Sequence, residues 1–487
     1  MTLEQFVPFL PEIFLATAGF VVLLLGIPLA RGGIRPLSLV GVGSLAVTGV
    51  LVWFVGRPVE GPVAILGDML VIDQFAVYFK LLVLAAGIMA IFMAAGFLER
   101  FGYGGGEFIS LILFATVGMF VMSSGASLAS LYVGLELMAL SVYVLVGYFK
   151  LETKSNEGAI KYFVLGAASS AILLYGISLV YGSLGTLDLQ TIRQSLVAVP
   201  SSNPMLVLGM VLVSFGMLFK VAAVPFHVWT PDAYEGAPTP VTAFISVAPK
   251  AAAFAMFMRL FFDAFAPGVE HWRVVLWLAS AATMIYGNIA ALTQDNVKRM
   301  LAYSSIAHAG YALMGFVALT ETGAWAVLMY MLVYTFMNLG AFGFVILLES
   351  KGYASEVIGD YAGLAKRHPG AALGMLIFML ALAGIPPTAG FMGKLYLFAA
   401  AVEGGYILLT VIAVIMSAVS LFYYFRIVVQ MYLRGGDGEG EEPAEFLRDR
   451  WTELAIVVCI IATLAIGVYP GPVVNWARNA VSALGVM

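Results

Sequence analysis

Residues 204–264 form a long apolar stretch, which reads PMLVLGMVLVSFGMLFKVAAVPFHVWTPDAYEGAPTPVTAFISVAPKAAAFAMFMRLFFDA. It contains two apolar runs, 204–230 and 239–264. Each run exceeds the roughly 20 residues that cross a bilayer as a helix. Lys220 lies inside the first run and Lys250 inside the second, while Pro225 interrupts the first run and Pro231 directly follows its end. The stretch therefore predicts two transmembrane helices that hold charges in hydrocarbon, the first of which is broken.

The rest of the chain has the same apolar character. Of its 487 residues, 62% are hydrophobic and 11% are charged, and the mean hydropathy is +0.99. A soluble domain of this length could not bury so much apolar surface. Scanning for apolar runs of bilayer length predicts fourteen spans. They are 9–30, 35–56, 74–98, 108–124, 127–149, 157–182, 204–230, 239–264, 270–292, 298–319, 323–349, 371–402, 404–433 and 451–474. The predicted fold class is therefore all-α, a polytopic membrane protein with about fourteen transmembrane helices.

Basic residues are distributed unevenly between the predicted connections. Fourteen follow odd-numbered spans: Arg31, Arg35, Arg100, Lys150, Lys154, Lys161, Lys298, Arg299, Lys351, Lys366, Arg367, Arg434, Arg448 and Arg450. Four follow even-numbered spans or lie in the tails: Arg57, Arg193, Arg273 and Arg478. Because Lys and Arg concentrate on the cytoplasmic side, we expect the odd connections there and both termini outside. Lys80, Arg259 and Arg426 lie toward span ends, where long side chains are expected to reach the interface.

Four charges are predicted deep inside spans: Glu136 in span 5, Lys220 in span 7, Lys250 in span 8 and Lys394 in span 12. Each costs about 2.5–3.5 kcal/mol at the bilayer centre on insertion scales, and such residues commonly mark ion or proton pathways. The alternative for any one of them is a buried Glu–Lys pair that only holds helices together. Because there are four, we predict a proton path.

Polar residues accompany two of these positions at helical spacing. Thr242, Ser246 and Lys250 recur every four residues in span 8, and Ser304 and His308 do so in span 10. Such spacing places them on one helix face, where they can hold water or pass protons. The alternative is that the hydroxyls hydrogen-bond back to their own helix.

Two spans are interrupted by proline, span 7 at Pro225 and span 12 at Pro386-Pro387. Paired broken spans in two halves indicate an inverted-repeat transporter, although isolated proline kinks are common in membrane helices. Spans 7 and 12 are five apart, so we predict two inverted five-helix repeats. The predicted segments are 1–106 (three spans), 107–265 (spans 4–8), 266–434 (spans 9–13) and 435–487 (a cytoplasmic linker and span 14). His227, just after the first break, is either a proton relay or a structural residue.

Some classes of site are disfavoured by composition. The net charge of −4 does not indicate nucleic acid as a partner. The one cysteine, Cys459, rules out a disulfide framework or an iron–sulfur site. The sequence has neither a G-x-G-x-x-G dinucleotide loop nor a metal-ligand cluster. We therefore expect no cofactor in this chain, so that any redox energy must come from partner subunits.

Four segments resemble a known family. They are the segment around Glu136, the run K-x4-P-F-H-x-W-x-P-D-A-Y-x-G-A-P from Lys220 to Pro238, the segment around Lys250 and the run GIPPTAGFMGK ending at Lys394. They are similar to the antiporter-like membrane subunits of respiratory complex I, and Mrp antiporters and membrane-bound hydrogenases share much of the pattern. The subunit N branch fits best. Lys394 stands where subunit M is expected to carry glutamate, the segments GLELMALS and GAPTPVTAF match, and the chain ends without the lateral helix of subunit L.

The resemblance implies two helix bundles related by a pseudo-twofold axis, preceded by three additional helices. It assigns Glu136, Lys220, Lys250 and Lys394 to the proton path. Lys161 matches a further family lysine, or else is an ordinary interfacial anchor. The resemblance also implies the inner (plasma) membrane of a prokaryotic cell, with other membrane-arm and peripheral-arm subunits as partners. NADH, FMN, iron–sulfur clusters and quinone are then expected in those partners, and this chain is a non-redox subunit of the enzyme.

Our working hypothesis is that loss of the Glu136 pairing frees a proton from Lys220, which moves by Lys250 and Lys394 to the outside. Three alternatives stay open. One is a subunit of an Mrp-type cation/proton antiporter or a hydrogenase-related complex, which shares the residues. Another is an inert membrane scaffold. The last is a respiratory complex with a donor other than NADH, such as ferredoxin or reduced deazaflavin.

Overall fold

The structure, a computed structural model, describes residues 7–29, 34–58, 61–198, 203–348, 356–434 and 448–484, and most of these residues are helical. The α-helices are α1 (Leu10–Leu29), α2 (Ile34–Phe54), α3 (Gln74–Phe101), α4 (Gly106–Ser124), α5 (Leu128–Val146), α6 (Thr153–Leu184), α7 (Leu189–Ala198), α8 (Pro204–Lys220), α9 (Trp229–Gly236), α10 (Thr239–Met258), α11 (Val269–Leu292), α12 (Val297–Ala318), α13 (Glu321–Leu348), α14 (Leu364–Arg367), α15 (Pro369–Ala383), α16 (Ala389–Glu403), α17 (Ile407–Leu433), α18 (Arg450–Val468) and α19 (Gly471–Val481). An antiparallel hairpin of β1 (Val63–Ile65) and β2 (Leu70–Ile72) lies between α2 and α3.

The helices match the predicted spans. Within the described residues, twelve helices are long and apolar enough to cross a membrane, and they include α1–α6, α10–α13, α17 and α18. These correspond to spans 1–6, 8–11, 13 and 14. Span 7 forms α8 and breaks after Lys220, with its last two residues at the start of α9, and span 12 is divided into α15 and α16. The all-α polytopic class is thus confirmed, whereas the division into two inverted repeats stays a prediction.

Both breaks lie beside a lysine. Lys220 is the last residue of α8, and Lys394 lies in the second turn of α16. Proline supplies no backbone N–H, so each break leaves carbonyl oxygens without a helical partner. Just before the second break, at the end of α15, the carbonyl oxygens of Leu382 and Ala383 accept hydrogen bonds from Lys394 Nζ at 3.0 Å and 2.9 Å. The break therefore supplies part of the environment of the charge.

The most buried helices occupy the centre of the fold. In an 18-residue apolar segment of each helix, all residues of α10 and α12 and 94% of those of α13 are buried. In α1, α2, α17 and α18 only 28–33% of the residues of such a segment are buried. Outer faces such as that of α17 expose valine and leucine, as lipid contact requires. Lys250 and His308, on α10 and α12, thus lie in the protein interior.

Glycines bring the backbones of α11 and α12 together. A Cβ on Gly287 would lie 2.7 Å from the backbone nitrogen of Ala307, and one on Gly310 would lie 2.8 Å from that of Met284. Small residues permit such close packing between membrane helices. This contact fixes the rotation of α12, which carries His308.

Two basic residues differ from their prediction. Lys80 and Arg259 do not reach the interface, because both are buried in ion pairs. Lys80 Nζ lies 2.5 Å from Glu12 Oε1. Arg259 donates to both carboxylate oxygens of Asp73 at 2.8 Å. Burial against an acidic partner in another part of the chain competes with the interface, and position along a span does not reveal that partner.

Several other features were not anticipated or cannot be compared. The short helices α7 and α19 and the hairpin β1–β2 were not predicted. Of the residues counted for the charge bias, Arg31 and Lys351 lie outside the described residues, as does most of the predicted linker after Arg434.

Candidate functional site

Glu136 on α5 and Lys220 on α8 meet through a serine of α6. The Lys220 Nζ atom lies 4.0 Å from Glu136 Oε1. Ser170 donates to Glu136 Oε1 at 2.5 Å and accepts from Lys220 Nζ at 3.2 Å. The lysine side chain is 4% exposed and that of the glutamate 27%. The carboxylate and the hydroxyl together stabilise the charged form of a lysine that has lost its hydration.

Lys250, near the middle of α10, is bound by one residue of α12. Its Nζ donates to the backbone oxygen of Ser305 at 2.9 Å and to Ser305 Oγ at 2.5 Å. The hydroxyl of Tyr234, on α9, lies 3.3 Å from the same Ser305 Oγ. The ring of Tyr334 faces the ammonium with its centroid at 5.9 Å. Among the described residues, the partners of this ammonium are neutral hydroxyl, carbonyl and aromatic groups.

A hydroxyl and imidazole network begins at the adjacent residue, Ser304. Its Oγ is hydrogen-bonded to the hydroxyl of Tyr424 at 2.5 Å. That hydroxyl lies 3.2 Å from His308 Nε2, and His308 Nδ1 lies 2.6 Å from the hydroxyl of Tyr330. All four residues are buried. Both ring nitrogens of the histidine therefore have a protonatable neighbour, as a proton relay requires.

Lys394 has a separate set of partners. Besides the two carbonyl oxygens at the break, its Nζ donates to Ser417 Oγ of α17 at 3.0 Å. The ammonium also faces the ring of Tyr311 with its centroid at 5.0 Å. A cavity of about 230 Å³ beside this lysine is lined by residues of α15, α16 and α17. Lys394 is 4% exposed, so its side chain is buried among these partners.

His308 lies between the two lysine sites. The ring of Tyr334, which faces Lys250, lies 5.1 Å from the His308 ring. The ring of Tyr311, which faces Lys394, lies 5.9 Å from the His308 ring. The hydroxyl of Tyr311 accepts from Asn288, which in turn accepts from Tyr423. The second half of the site is therefore continuous in polar and aromatic contacts.

The part of the site around Glu136 and Lys220 is less closely joined to Lys250. Among the described residues, Lys220 and Lys250 share no hydrogen-bonded partner. Of the polar stripe on α10, Ser246 Oγ donates to Ala243 O and accepts from Asn338 Nδ2 at 2.6 Å. Thr242 donates to Tyr234 O at 2.8 Å. The stripe thus combines bonds to its own helix with bonds between helices.

The two remaining candidates lie apart from the lysine network. His227 is buried beside the first break, and its ring packs on Tyr286 at 4.5 Å. Lys161 is 43% exposed and pairs with Glu157 Oε1 at 2.6 Å and Asp232 Oδ2 at 2.8 Å. The structure places Lys161 in an ion-pair cluster at one end of α6.

Two carboxyl groups of this cluster lie on α9, outside the candidate membrane spans. Burial raises the pKa of Asp232, but hydrogen bonds from Lys161 and Arg299 outweigh it and hold the pKa below its usual value. Burial likewise opposes ionisation of Glu235, and hydrogen bonds from Lys154 and Arg299 lower its pKa. Both groups are therefore anionic at neutral pH.

The sequence-based prediction did not include four residues of the site: Ser170, which bonds Lys220, Tyr234, which bonds Ser305, and Tyr330 and Tyr424, which bond His308. The adjacent serines Ser169 and Ser170 inside an apolar span are the sequence feature that could have pointed to Ser170. Within the described residues, no group of three His, Cys, Asp or Glu side chains is placed to hold a metal ion.

Comparison with known proteins gives one family and several relatives. Residues 125–420 match the family model described as "NADH:quinone oxidoreductase/Mrp antiporter, TM". NADH-quinone oxidoreductase subunit N of Trichlorobacter lovleyi is 45% identical over 482 residues, which are 98% of this chain and 96% of that protein. A chain of respiratory complex I from Thermus thermophilus with bound aureothin superposes with a TM-score of 0.80 at 34% identity, covering 96% of this chain and 98% of that one. A chain of the Mrp complex from a Dietzia species shares the fold, with a TM-score of 0.84 at 22% identity, covering 99% of this chain and 98% of that one.

Proposed function

We propose that this chain, which belongs to the NADH:quinone oxidoreductase/Mrp antiporter family of membrane proteins, is the subunit N of a respiratory NADH-quinone oxidoreductase and carries protons across the membrane. The observation that supports this best is the environment of Lys250. Its ammonium is buried against the neutral hydroxyl of Ser305, next to a chain of hydroxyl groups that reaches both nitrogens of His308. A buried charge without a counter-ion is costly, and a lysine among neutral groups avoids that cost by releasing its proton.

The proposed path runs through the three buried lysines. With Glu136 and Ser170 beside it, Lys220 is held in its charged form. When that pairing loosens, the proton passes to neutral Lys250, with water bridging the gap between the two. From Lys250 it passes by Ser305, Ser304, Tyr424 and His308 toward Lys394, and from there to the outside. A proton moved against 100 mV costs about 2.3 kcal/mol, which is less than the roughly 3–5 kcal/mol that loss of one partner of a buried ion pair costs.

The oxidation chemistry is assigned to other subunits. This chain has one cysteine and no dinucleotide-binding loop. We assign NADH, FMN, the iron–sulfur clusters and quinone to partner subunits of the membrane and peripheral arms, and this chain acts as the non-redox, translocating part of the enzyme. Conformational change in those partners is the step that alters the Glu136–Lys220 pairing.

The proposed location is the inner membrane of a prokaryotic cell, with both termini outside. The charge bias supports this orientation, and Lys154, Lys161 and Arg299, which were all counted on the cytoplasmic side, lie together in one ion-pair cluster. The proposed repeats, 107–265 and 266–434, place one broken span in each half.

Purification of the native complex tests the assignment. We expect this chain to co-purify with subunits that carry flavin and iron–sulfur clusters and oxidise NADH. A complex without flavin and clusters that shows sodium-dependent proton exchange would instead establish the Mrp-type alternative. A complex with clusters that accepts electrons from ferredoxin but not from NADH would change the donor and leave the proton path intact.

A further inference from the structure

The short helix α9 is held between α6 and α12 by ion pairs. Asp232 Oδ2 lies 2.8 Å from Lys161 Nζ of α6, and Asp232 Oδ1 lies 2.8 Å from Arg299 Nη1 of α12. One turn later, Glu235 lies 2.9 Å from the same Arg299 nitrogen and 3.1 Å from Lys154 Nζ. Asp232 and Glu235 of α9 thus each bind one cation from both neighbouring helices, and Asp232 makes the shorter contact to α6.

Backbone packing brings α9 against the beginning of α6. A Cβ on Gly236 would lie 2.3 Å from the carbonyl oxygen of Lys154, and one on Gly158 would lie 2.8 Å from that of Asp232. The ring of Trp229 stacks on that of Tyr162 at 4.0 Å with an interplanar angle of 7°. A helix of eight residues has few contacts of its own, so these neighbours set where it lies.

The opposite side of α9 points to the proposed proton path. Tyr234, two residues after Asp232, is fully buried, and its hydroxyl lies 3.3 Å from Ser305 Oγ. The same Ser305 Oγ is bonded to Lys250 Nζ. A displacement of α9 therefore changes the hydrogen bonding of the hydroxyl that serves Lys250.

We propose that Asp232 is a positioning residue for proton transfer at Lys250, acting through the ion pairs that fix α9 and through Tyr234. This inference rests on the proposed function, since the geometry around Lys250 matters only if that lysine exchanges protons. Because Lys161 is 43% exposed and Asp232 24%, the pairs add little to global stability. Their effect is on the placement of α9.

The test uses the intact complex reconstituted in proteoliposomes, with protons moved per NADH oxidised as the readout. Asp232→Asn keeps the size of the side chain but removes its charge, and we expect the ratio to fall about three- to tenfold, a range typical of couplings between neighbouring groups. Asp232→Glu, which restores the charge, is expected to recover most of the ratio. The matched control is Glu157→Gln. Glu157 is the other carboxylate bound to Lys161, but it belongs to α6 and does not hold α9. We expect it to leave the ratio unchanged.

A double-mutant cycle with Tyr234→Phe links the ion pairs to Lys250. If Asp232 acts through Tyr234, the Asp232→Asn/Tyr234→Phe double variant loses no more than the stronger single variant. Losses that multiply in the double variant, or an unchanged ratio in Asp232→Asn, overturn the inference. If the Asp232→Asn complex does not assemble, Lys161→Gln takes its place. It removes the cation of α6 that pairs with Asp232, at an exposed site, and is expected to lower the ratio by a smaller factor. An unchanged ratio in Lys161→Gln also overturns the inference. Failure of the proposed function appears differently, as normal pumping when Lys250 itself is replaced.

Discussion

The carboxylate of Glu136 and the ammonium of Lys220 lie 4.0 Å apart and are joined by the hydroxyl of Ser170. The direct separation is at the limit of an ion pair, so the bridging hydroxyl contributes to the coupling of the two charges. A bridge of this kind can be made or broken by a small movement of α6. It is the point at which a conformational change in a neighbouring subunit would reach the first lysine.

Replacing the bridge tests that relationship. Ser170→Ala removes one donor and one acceptor between two charged groups, and we expect proton pumping to slow about tenfold, equivalent to a loss of about 1.4 kcal/mol. The measurement is the initial rate of NADH-driven proton movement in proteoliposomes. Ser169→Ala is the matched control, because the Ser169 hydroxyl donates to the backbone oxygen of Gly216, at 3.4 Å, and to no charged group among the described residues. Equal effects of the two variants would remove Ser170 from the coupling.

The second prediction concerns Gly384, which ends α15 beside Lys394. Its φ of +87° is in the left-handed region, and a Cβ would lie 2.9 Å from Cδ of Lys394. Gly384→Ala is expected to cost about 1–2 kcal/mol in backbone conformation and to displace the lysine from its carbonyl partners. Pumping should fall while assembly, judged by size-exclusion chromatography, is kept. Gly370→Ala, where the added Cβ meets nothing within 4 Å, should behave as the wild type.

The third prediction concerns the relay between Lys250 and Lys394. Tyr424→Phe removes the hydroxyl that joins Ser304 to His308, without changing the size of the ring. We expect a several-fold slower proton transfer, since the path must then cross an apolar gap. Tyr432→Phe on the same helix is the control, because that residue is 41% exposed near the end of α17. A Tyr424→Phe variant that pumps at the control rate would exclude this route.

The fourth prediction concerns stability of the N-terminal helices. Lys80 and Glu12 form a buried pair between α3 and α1, with side chains 1% and 2% exposed. Glu12→Gln leaves the lysine without a counter-ion and is expected to destabilise the protein by about 3–5 kcal/mol. Thermal unfolding of the detergent-purified protein measures the loss. Glu99→Gln breaks an exposed pair with Arg35 and should change stability by about 1 kcal/mol or less. A double variant, Glu12→Leu with Lys80→Met, should recover much of the loss.

The membrane fold and the central charges could be predicted because both follow from local sequence. An apolar run of bilayer length specifies a span, and Lys220, Lys250 and Lys394 are conspicuous because charge is costly there. The breaks of spans 7 and 12 follow from proline alone. The same reasoning placed Lys80 and Arg259 at the interface, and it was wrong because their acidic partners lie 68 and 186 residues away in sequence.

The partners of the lysines could not be predicted from local sequence. Ser305 and Lys250 are 55 residues apart, and Tyr424 and His308 are 116 apart. Their contacts depend on how α10, α12 and α17 are rotated against one another, which is set by packing such as the glycine contacts of α11 with α12. Ser170 was overlooked for a related reason, because a serine inside a span most often bonds back to its own helix.

The most direct test asks whether Lys250 must exchange its proton or only carry a charge. Lys250→Arg keeps the positive charge but cannot release a proton in a protein, while Lys250→Met removes the charge. Both variants are compared with Lys150→Met, at an exposed lysine, in proteoliposomes holding the assembled complex. We expect the arginine and methionine variants alike to lose proton pumping, while NADH oxidation with an artificial electron acceptor continues. An arginine variant that assembles and pumps protons at the wild-type ratio would contradict the account.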